Sequence, residues 1–147
     1  MLAKLQKLLN GEKWELERNG VVFKNNGSVV QIVASGLFTR PTSFTLNDTQ
    51  LRLLRSFVNT YSTTDSHDVY LVKLEDGIRL SVENEFEQLM LDLYEDGTAT
   101  AHVYWSQTDG DRWTVFPDGN VRYTGDIDGY RRMPEWVELA VEVQRAR

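Results

Sequence analysis

Two histidines and no cysteine set narrow limits on the chemistry open to this chain of 147 residues. Thiol nucleophiles, disulfides and Cys-ligated zinc or iron–sulfur sites are excluded. His67 and His102 are too few for a multi-histidine metal site within one chain. His67 lies in the polar string Ser66-His67-Asp68, but sequence neighbours rarely converge as a triad, so it reads as a loop histidine. His102 is more informative, because the corner at Glu95-Asp96-Gly97 sets a register in which it faces Met90 and lies diagonal to Asp92. Such a diagonal spans about 7–8 Å between backbones, within reach of long side chains. A carboxylate there fixes the imidazole tautomer and raises its basicity. His102 and Asp92 are therefore the candidate catalytic pair, with Tyr104 on the same face. No serine or cysteine nucleophile is signalled beside them, and a half-exposed sheet face is the plainer reading.

Carboxylates are the other chemistry-bearing group. Net charge is −6, unevenly spread: residues 1–64 carry eight basic and four acidic side chains, 65–99 two basic and ten acidic, and 100–147 six basic and eight acidic. Glu75, Asp76, Glu95 and Asp96 fall at the corners of two hairpins, with Glu83, Glu85 and Glu87 at the opposite rim. Acidic rims serve solubility and protect edges; held on rigid turns they also steer a basic partner. Asp109-Gly110-Asp111 and Asp126-Ile127-Asp128-Gly129 share only part of a calcium loop, since Trp113 and Tyr130 occupy the fifth positions. Turn chemistry accounts for both, and no metal or other cofactor is expected. Neither a Walker sequence nor a GxGxxG after a strand is present, which disfavours the common nucleotide enzymes. Arg131, Arg132, Arg145 and Arg147, with Lys4, Lys7, Lys13 and Lys24, could contact phosphates if they converge; positive charge at a helix C-terminus explains Arg145 and Arg147 without a ligand.

The elements that must position these residues are legible from periodicity and turns. Leu2, Leu5, Leu8 and Leu9 predict a short amphipathic helix stopped at Asn10-Gly11. The Asn19-Gly20 and Asn26-Gly27 corners predict hairpins. They pair Leu16 with Phe23 and Glu15 with Lys24, then Phe23 with Val30 and Val21 with Ile32, giving strands at 13–18, 21–25 and 28–34. Residues 35–45 look irregular. Asn47 and Gln50 have capping-box spacing, with Leu46 and Leu51 as a staple, and Leu51, Leu54, Phe57, Val58 and Tyr61 stripe a helix to about residue 61. The polar run 62–68 divides two possible lobes.

A meander follows, with strands at 68–74, 78–83, 88–94, 98–105, 112–116 and 120–124. Three-residue loops at Glu75-Asp76-Gly77, Glu95-Asp96-Gly97 and Pro117-Asp118-Gly119, each with glycine in the left-handed position, set the registers. They oppose Leu74 with Ile78, Val72 with Leu80 and Tyr70 with Val82; Leu93 with Ala99, Leu91 with Ala101 and Leu89 with Val103; and Val115 with Val121 and Trp113 with Tyr123. In the first hairpin Lys73 then faces Arg79, an unfavourable pair. Pro134 and the apolar Trp136, Val137, Leu139, Ala140, Val141 and Val143 predict a last helix to near residue 145. Residues 116–129, FPDGNVRYTGDIDG, resemble half of a MORN-type repeat in the Pro-Asp-Gly corner, the tyrosine and the following glycines. Such repeats stabilise one another by stacking and no second copy follows, so shared hairpin chemistry accounts for the likeness and no family is assigned.

The expected fold is α+β: an antiparallel β-meander of about six strands with a smaller N-terminal three-stranded antiparallel sheet and three helices, as a single domain 1–147 or two lobes 1–64 and 65–147. No stretch reads as a secretory signal or membrane span, which leads us to expect a soluble, cytoplasmic protein. The expected function is a non-enzymatic protein-binding module, such as an inhibitor or antidote. It would dock Glu75, Asp76, Glu83, Glu85, Glu87, Glu95 and Asp96 on a basic, nucleic-acid-handling protein, with nucleic acid itself a disfavoured partner. The alternative is a small-ligand or nucleotide-binding domain, enzymatic or not, using the Asp92, His102 and Tyr104 face. Oligomeric state is not legible.

Overall fold

A computed structural model of the chain describes residues 1–36, 40–62, 68–83, 87–104, 110–125 and 133–145. Helix α1, Leu2–Leu9, buries all four of its predicted leucines. Its end is a Schellman motif: the Gly11 N–H bonds the Leu8 carbonyl and the Glu12 N–H the Lys7 carbonyl, with Gly11 at φ 84°. Strands β1 (Glu15–Arg18), β2 (Val21–Asn25), β3 (Val30–Ala34) and β4 (Thr42–Thr45) form an antiparallel sheet in chain order.

Asn19 and Gly20 both take positive φ, as a type I′ turn requires, and Leu16 faces Phe23 as read from sequence. The second corner differs. Phe23 faces Ile32 and Val21 faces Ala34, a shift of two residues from the predicted pairing. Asn26 keeps negative φ because its side-chain oxygen captures the N–H groups of Ser28 and Val29, so the turn centres on Gly27-Ser28. An even shift leaves each side chain on its predicted face, and Phe23 stays in the core. The stretch read as irregular contains β4, whose Thr42 and Phe44 face Ala34 and Ile32. Its polar Thr-Ser-Phe-Thr sequence carries little hydrophobic signal; pairing with β3 makes it a strand.

Helix α2, Asp48–Tyr61, starts with both halves of the capping box: the Gln50 N–H donates to Asn47 Oδ1 and the Asn47 N–H to Gln50 Oε1. Leu46 is buried and Leu51 partly so, as a staple. Helix α3, Glu135–Arg145, follows Pro134, whose carbonyl accepts from Val137 and Glu138. Trp136, Val137, Ala140 and Val141 are buried, whereas Leu139 is 55% exposed, against its predicted place on the apolar side. The two helices are joined by Ser56 Oγ donating to the Trp136 carbonyl at 2.6 Å and by edge packing of Phe57 on Trp136.

The second sheet is the six-stranded antiparallel meander of β5 (Asp68–Lys73), β6 (Gly77–Glu83), β7 (Gln88–Tyr94), β8 (Ala99–Tyr104), β9 (Gly110–Val115) and β10 (Val121–Gly125). The last two predicted hairpins hold residue for residue, with Gly97 and Gly119 at positive φ. The first is off by one: Leu71 faces Leu80, Val72 faces Arg79, and Lys73 faces Ile78 rather than Arg79. Here the loop is the pair Glu75-Asp76, closed by the Leu74 N–H on the Gly77 carbonyl, and Gly77 is a strand residue without positive φ. A Cβ on Gly77 would run into the Leu93 carbonyl oxygen and lie 3.0 Å from Tyr94 Cα. Close approach to β7, and not turn geometry, therefore demands this glycine. The odd shift flips the strand, burying Leu71 and leaving Tyr70 and Val72 exposed.

Buried apolar residues from all three helices and both sheets form one contiguous cluster. No helix among the described residues is long and apolar enough to cross a membrane.

Candidate functional site

The polar face of the meander holds a buried ion-pair network. Strand alternation sends Asp92, Tyr94, Thr100, His102 and Tyr104 to the side opposite Leu91 and Ala101, and β6–β7 pairing sets Arg79 directly across from Asp92. Arg79 grips Asp92 with two bonds, Nε to Oδ1 at 2.8 Å and Nη2 to Oδ2 at 2.9 Å; the Tyr94 hydroxyl donates to Oδ2 at 3.0 Å. His102 Nε2 lies 3.2 Å from Oδ2 but without hydrogen-bond alignment, and Nδ1 has no partner among the described residues. The His102 ring stacks on Tyr104 at 5.9 Å. The sequence reading thus brings His102 to Asp92, but the face is not half-exposed at its centre: Asp92 is 0% and His102 2% exposed, and Ser81, Met90 and Thr100 are buried as well.

Burial alone pushes the Asp92 carboxyl upward; the Arg79 hydrogen bonds, with His102 beside them, more than offset this and hold it below the usual carboxylate range. Burial and the Asp92 charge push the Tyr94 hydroxyl up to about 12. Asp92 is therefore a fixed anion with both oxygens engaged, a structural arrangement. Arg79, the residue that decides this, was missed as a partner. The available signal was its place opposite Asp92 once β6 and β7 are paired.

At one end of the meander the three corners meet. The Glu95 N–H donates to the Asp76 carbonyl at 2.9 Å, which joins two acidic corners into one rim carrying Glu75, Asp76, Glu95 and Asp96. That rim anchors the rest of the protein. Asn47 Nδ2 donates to the Gly97 carbonyl, Thr49 Oγ1 to Pro117, Gln50 Nε2 to Tyr94 and Thr98, and Thr42 Oγ1 to Glu75. Glu95 is ion-paired with Arg40, so part of the rim's charge is neutralised within the chain.

The other end carries Glu83 and Glu87 and opens into a cavity of about 510 Å³ between α2, α3 and the strands β7, β8 and β9. Its walls include Tyr61, Leu89, Trp113 and Trp136, with Glu87, Asp111 and Glu135 among the lining residues and no lysine, arginine or histidine among the described ones. Asp111 Oδ1 accepts from the Tyr123 hydroxyl. Asp111 is thus a buried strand residue, not a calcium-loop ligand. Burial, then the Glu87 charge, raise the Tyr61 hydroxyl to about 12, a hydrogen bond from the Trp136 side chain pulling the other way. Trp136 Nε1 is buried beside that hydroxyl, at the margin of hydrogen-bond geometry. The sequence reading set Trp113 opposite Tyr123 and put Trp136 on the apolar side of the last helix, and it gave no sign of a cavity lined by both.

Among the described residues no cluster of three or more histidine or acidic side chains could hold a metal. His67, Glu85, Asp109, residues 126–129, Arg131, Arg132 and Arg147, and the side chain of Arg145, lie outside the described residues. No family model, no curated protein and no solved structure matches this chain.

Proposed function

We propose that this protein is a non-enzymatic binding module that docks a protein partner with a basic surface, and that it does so at the Glu83 and Glu87 end of the meander. The observation that carries this reading is the cavity of about 510 Å³, which falls in the usual size range of binding sites, roughly 300–1,000 Å³, and combines aromatic walls with three carboxylates. Carboxylates focused in a cleft with low-dielectric walls attract cations more strongly than the same charges on an open surface. At the opposite rim Glu95 is ion-paired with Arg40 and the corner carbonyls hold α2 and β4, so that end serves the fold. A catalytic use of Asp92 is disfavoured for the same kind of reason: both of its oxygens are already bonded.

The test compares two variant sets in co-purification from cell extract at low and high salt. E87Q/E135Q should release a basic partner, and salt should weaken its capture by the parent protein. The E75Q/D76N/D96N set should retain it. Loss in the second set but not the first would move the docking surface to the corner rim. A partner indifferent to salt and to both sets would sink the proposal.

A further inference from the structure

We infer that the groove between α2 and α3 is a second docking surface, which receives an acidic amphipathic helix of a partner protein on Arg52 and Arg55. The groove has a volume of about 460 Å³, with Arg52, Arg55, Ser56 and Asn59 on its α2 bank and Leu139 and Ala140 on its α3 bank. Arg52 and Arg55 sit one helical turn apart, so both guanidiniums serve one face of α2. No acidic side chain is among the lining residues, and neither arginine has a carboxylate partner among the described ones. Arg52 is half-buried and its Nη1 has no acceptor, so the chain leaves this charge unanswered. Arg55 gives one N–H to the Leu9 carbonyl at 3.3 Å, and Asn59 Oδ1 accepts from Gln6, contacts that hold α1 alongside α2. Helix α1 adds the exposed Lys4 and Lys7 to this basic part of the chain.

The chemistry of the two banks favours a peptide over other anions. The α2 bank is helix interior, where backbone N–H groups are already bonded, so the groove lacks the converging amides that cradle a free phosphate. No aromatic ring is among the lining residues, which removes the stacking platform used by single-stranded nucleic acid. Leu139 is 55% exposed and gives the groove an apolar bank facing its cationic one. A helix with leucines along one edge and glutamates a turn apart beside them matches both banks. Each carboxylate can accept two bonds from a guanidinium fork.

The experiment titrates the full chain into a dye-labelled helical peptide of leucine, alanine and glutamate with that pattern, following fluorescence anisotropy. Two companion peptides replace every glutamate by glutamine or every leucine by alanine. The parent peptide should saturate, weaken as salt rises, and bind several-fold more tightly than either companion. R52Q/R55Q should weaken it by about tenfold, the scale of one charge-assisted contact. Because R55Q also gives up the Leu9 contact, L139E serves as a second variant. It leaves both arginines in place, adds a carboxylate at an exposed position, and should weaken the parent peptide as well. No saturation by the parent peptide, equal binding of the glutamine companion, or an affinity untouched by both variants would overturn the inference. Displacement of the peptide by inorganic phosphate or oligothymidylate at equal concentration would also overturn it, making the groove a general anion site. The docking of a basic partner at the Glu83 and Glu87 end uses other charges and is judged by its own variants.

Discussion

Replacing Arg79 by methionine isolates the energetics of the buried network. Methionine keeps the length and apolar stem but leaves Asp92, 0% exposed, with a hydroxyl from Tyr94 and an unaligned imidazole. Breaking a buried pair by removing one partner costs about 3–5 kcal/mol, because the surviving charge stays desolvated. The Arg79 side chain is 33% exposed, so water already shares its solvation and the lower end, about 3 kcal/mol at pH 7, is the appropriate figure.

The cost should depend on pH with a definite sign. In the parent protein the folded Asp92 carboxyl sits below its unfolded value, so its contribution is complete above about pH 4 and drains as pH falls through the lowered folded value. In R79M the largest offset to burial is lost, leaving His102 and the Tyr94 hydroxyl beside the carboxyl, which moves upward. The variant then loses stability as pH rises through that raised value and regains it on acidification. The gap between the two proteins should therefore narrow from both sides as pH falls. Urea unfolding at pH 3, 5 and 7 measures it. A cost below about 1 kcal/mol at pH 7, or one that does not change with pH, would refute the claim that Arg79 neutralises a buried anion.

Other perturbations follow from the same contacts. Gly77→Ala should destabilise by roughly 2–4 kcal/mol in thermal melts, since the added Cβ meets the backbone of β7 and cannot move aside; a neutral substitution would mean that β6 and β7 do not approach this closely at Gly77. Gln50→Leu should cost about 2 kcal/mol by losing the return half of the capping box and the bonds to the Tyr94 and Thr98 carbonyls, read by denaturant midpoint at unchanged slope. Neutralising Glu75, Asp76 and Asp96 together should shift the melting free energy by less than about 1 kcal/mol, as solvated corner charges do; a larger loss would mean that these carboxylates, and not only the corner carbonyls, hold the rim in place. Spectrophotometric titration should find two tyrosines ionising near pH 12, namely Tyr61 and Tyr94. Because their folded values are raised, the stability they confer is present below about pH 10 and lost as pH climbs toward 12.

The sequence by itself determined what is encoded within a turn or two of chain. Gly97 and Gly119 take the left-handed conformation their corners require, so the strands around them pair as read. Asn47 and Gln50 close a capping box on each other, and Gly11 ends α1. Strict alternation on β7 and β8 puts Leu89, Leu91 and Leu93 in the core and His102 near Asp92, without knowledge of any other element. Tertiary structure decided whatever depends on a neighbour distant in sequence. Gly77 looks like a third left-handed corner glycine, yet its conformation is set by crowding against Leu93 on the next strand, and that one-residue difference exposes Tyr70 and Val72. Thr42–Thr45 becomes a strand because β3 offers it hydrogen bonds. Asp92 becomes a fixed anion because β6 delivers Arg79 across the ladder. The cavity is bounded by side chains that α2, α3 and three strands of the meander bring together from distant parts of the chain. Dihedral preferences and caps are properties of a few adjacent residues and can be read in order; desolvation, close approach and empty volume are properties of surfaces brought together, and appear only when the chain has folded.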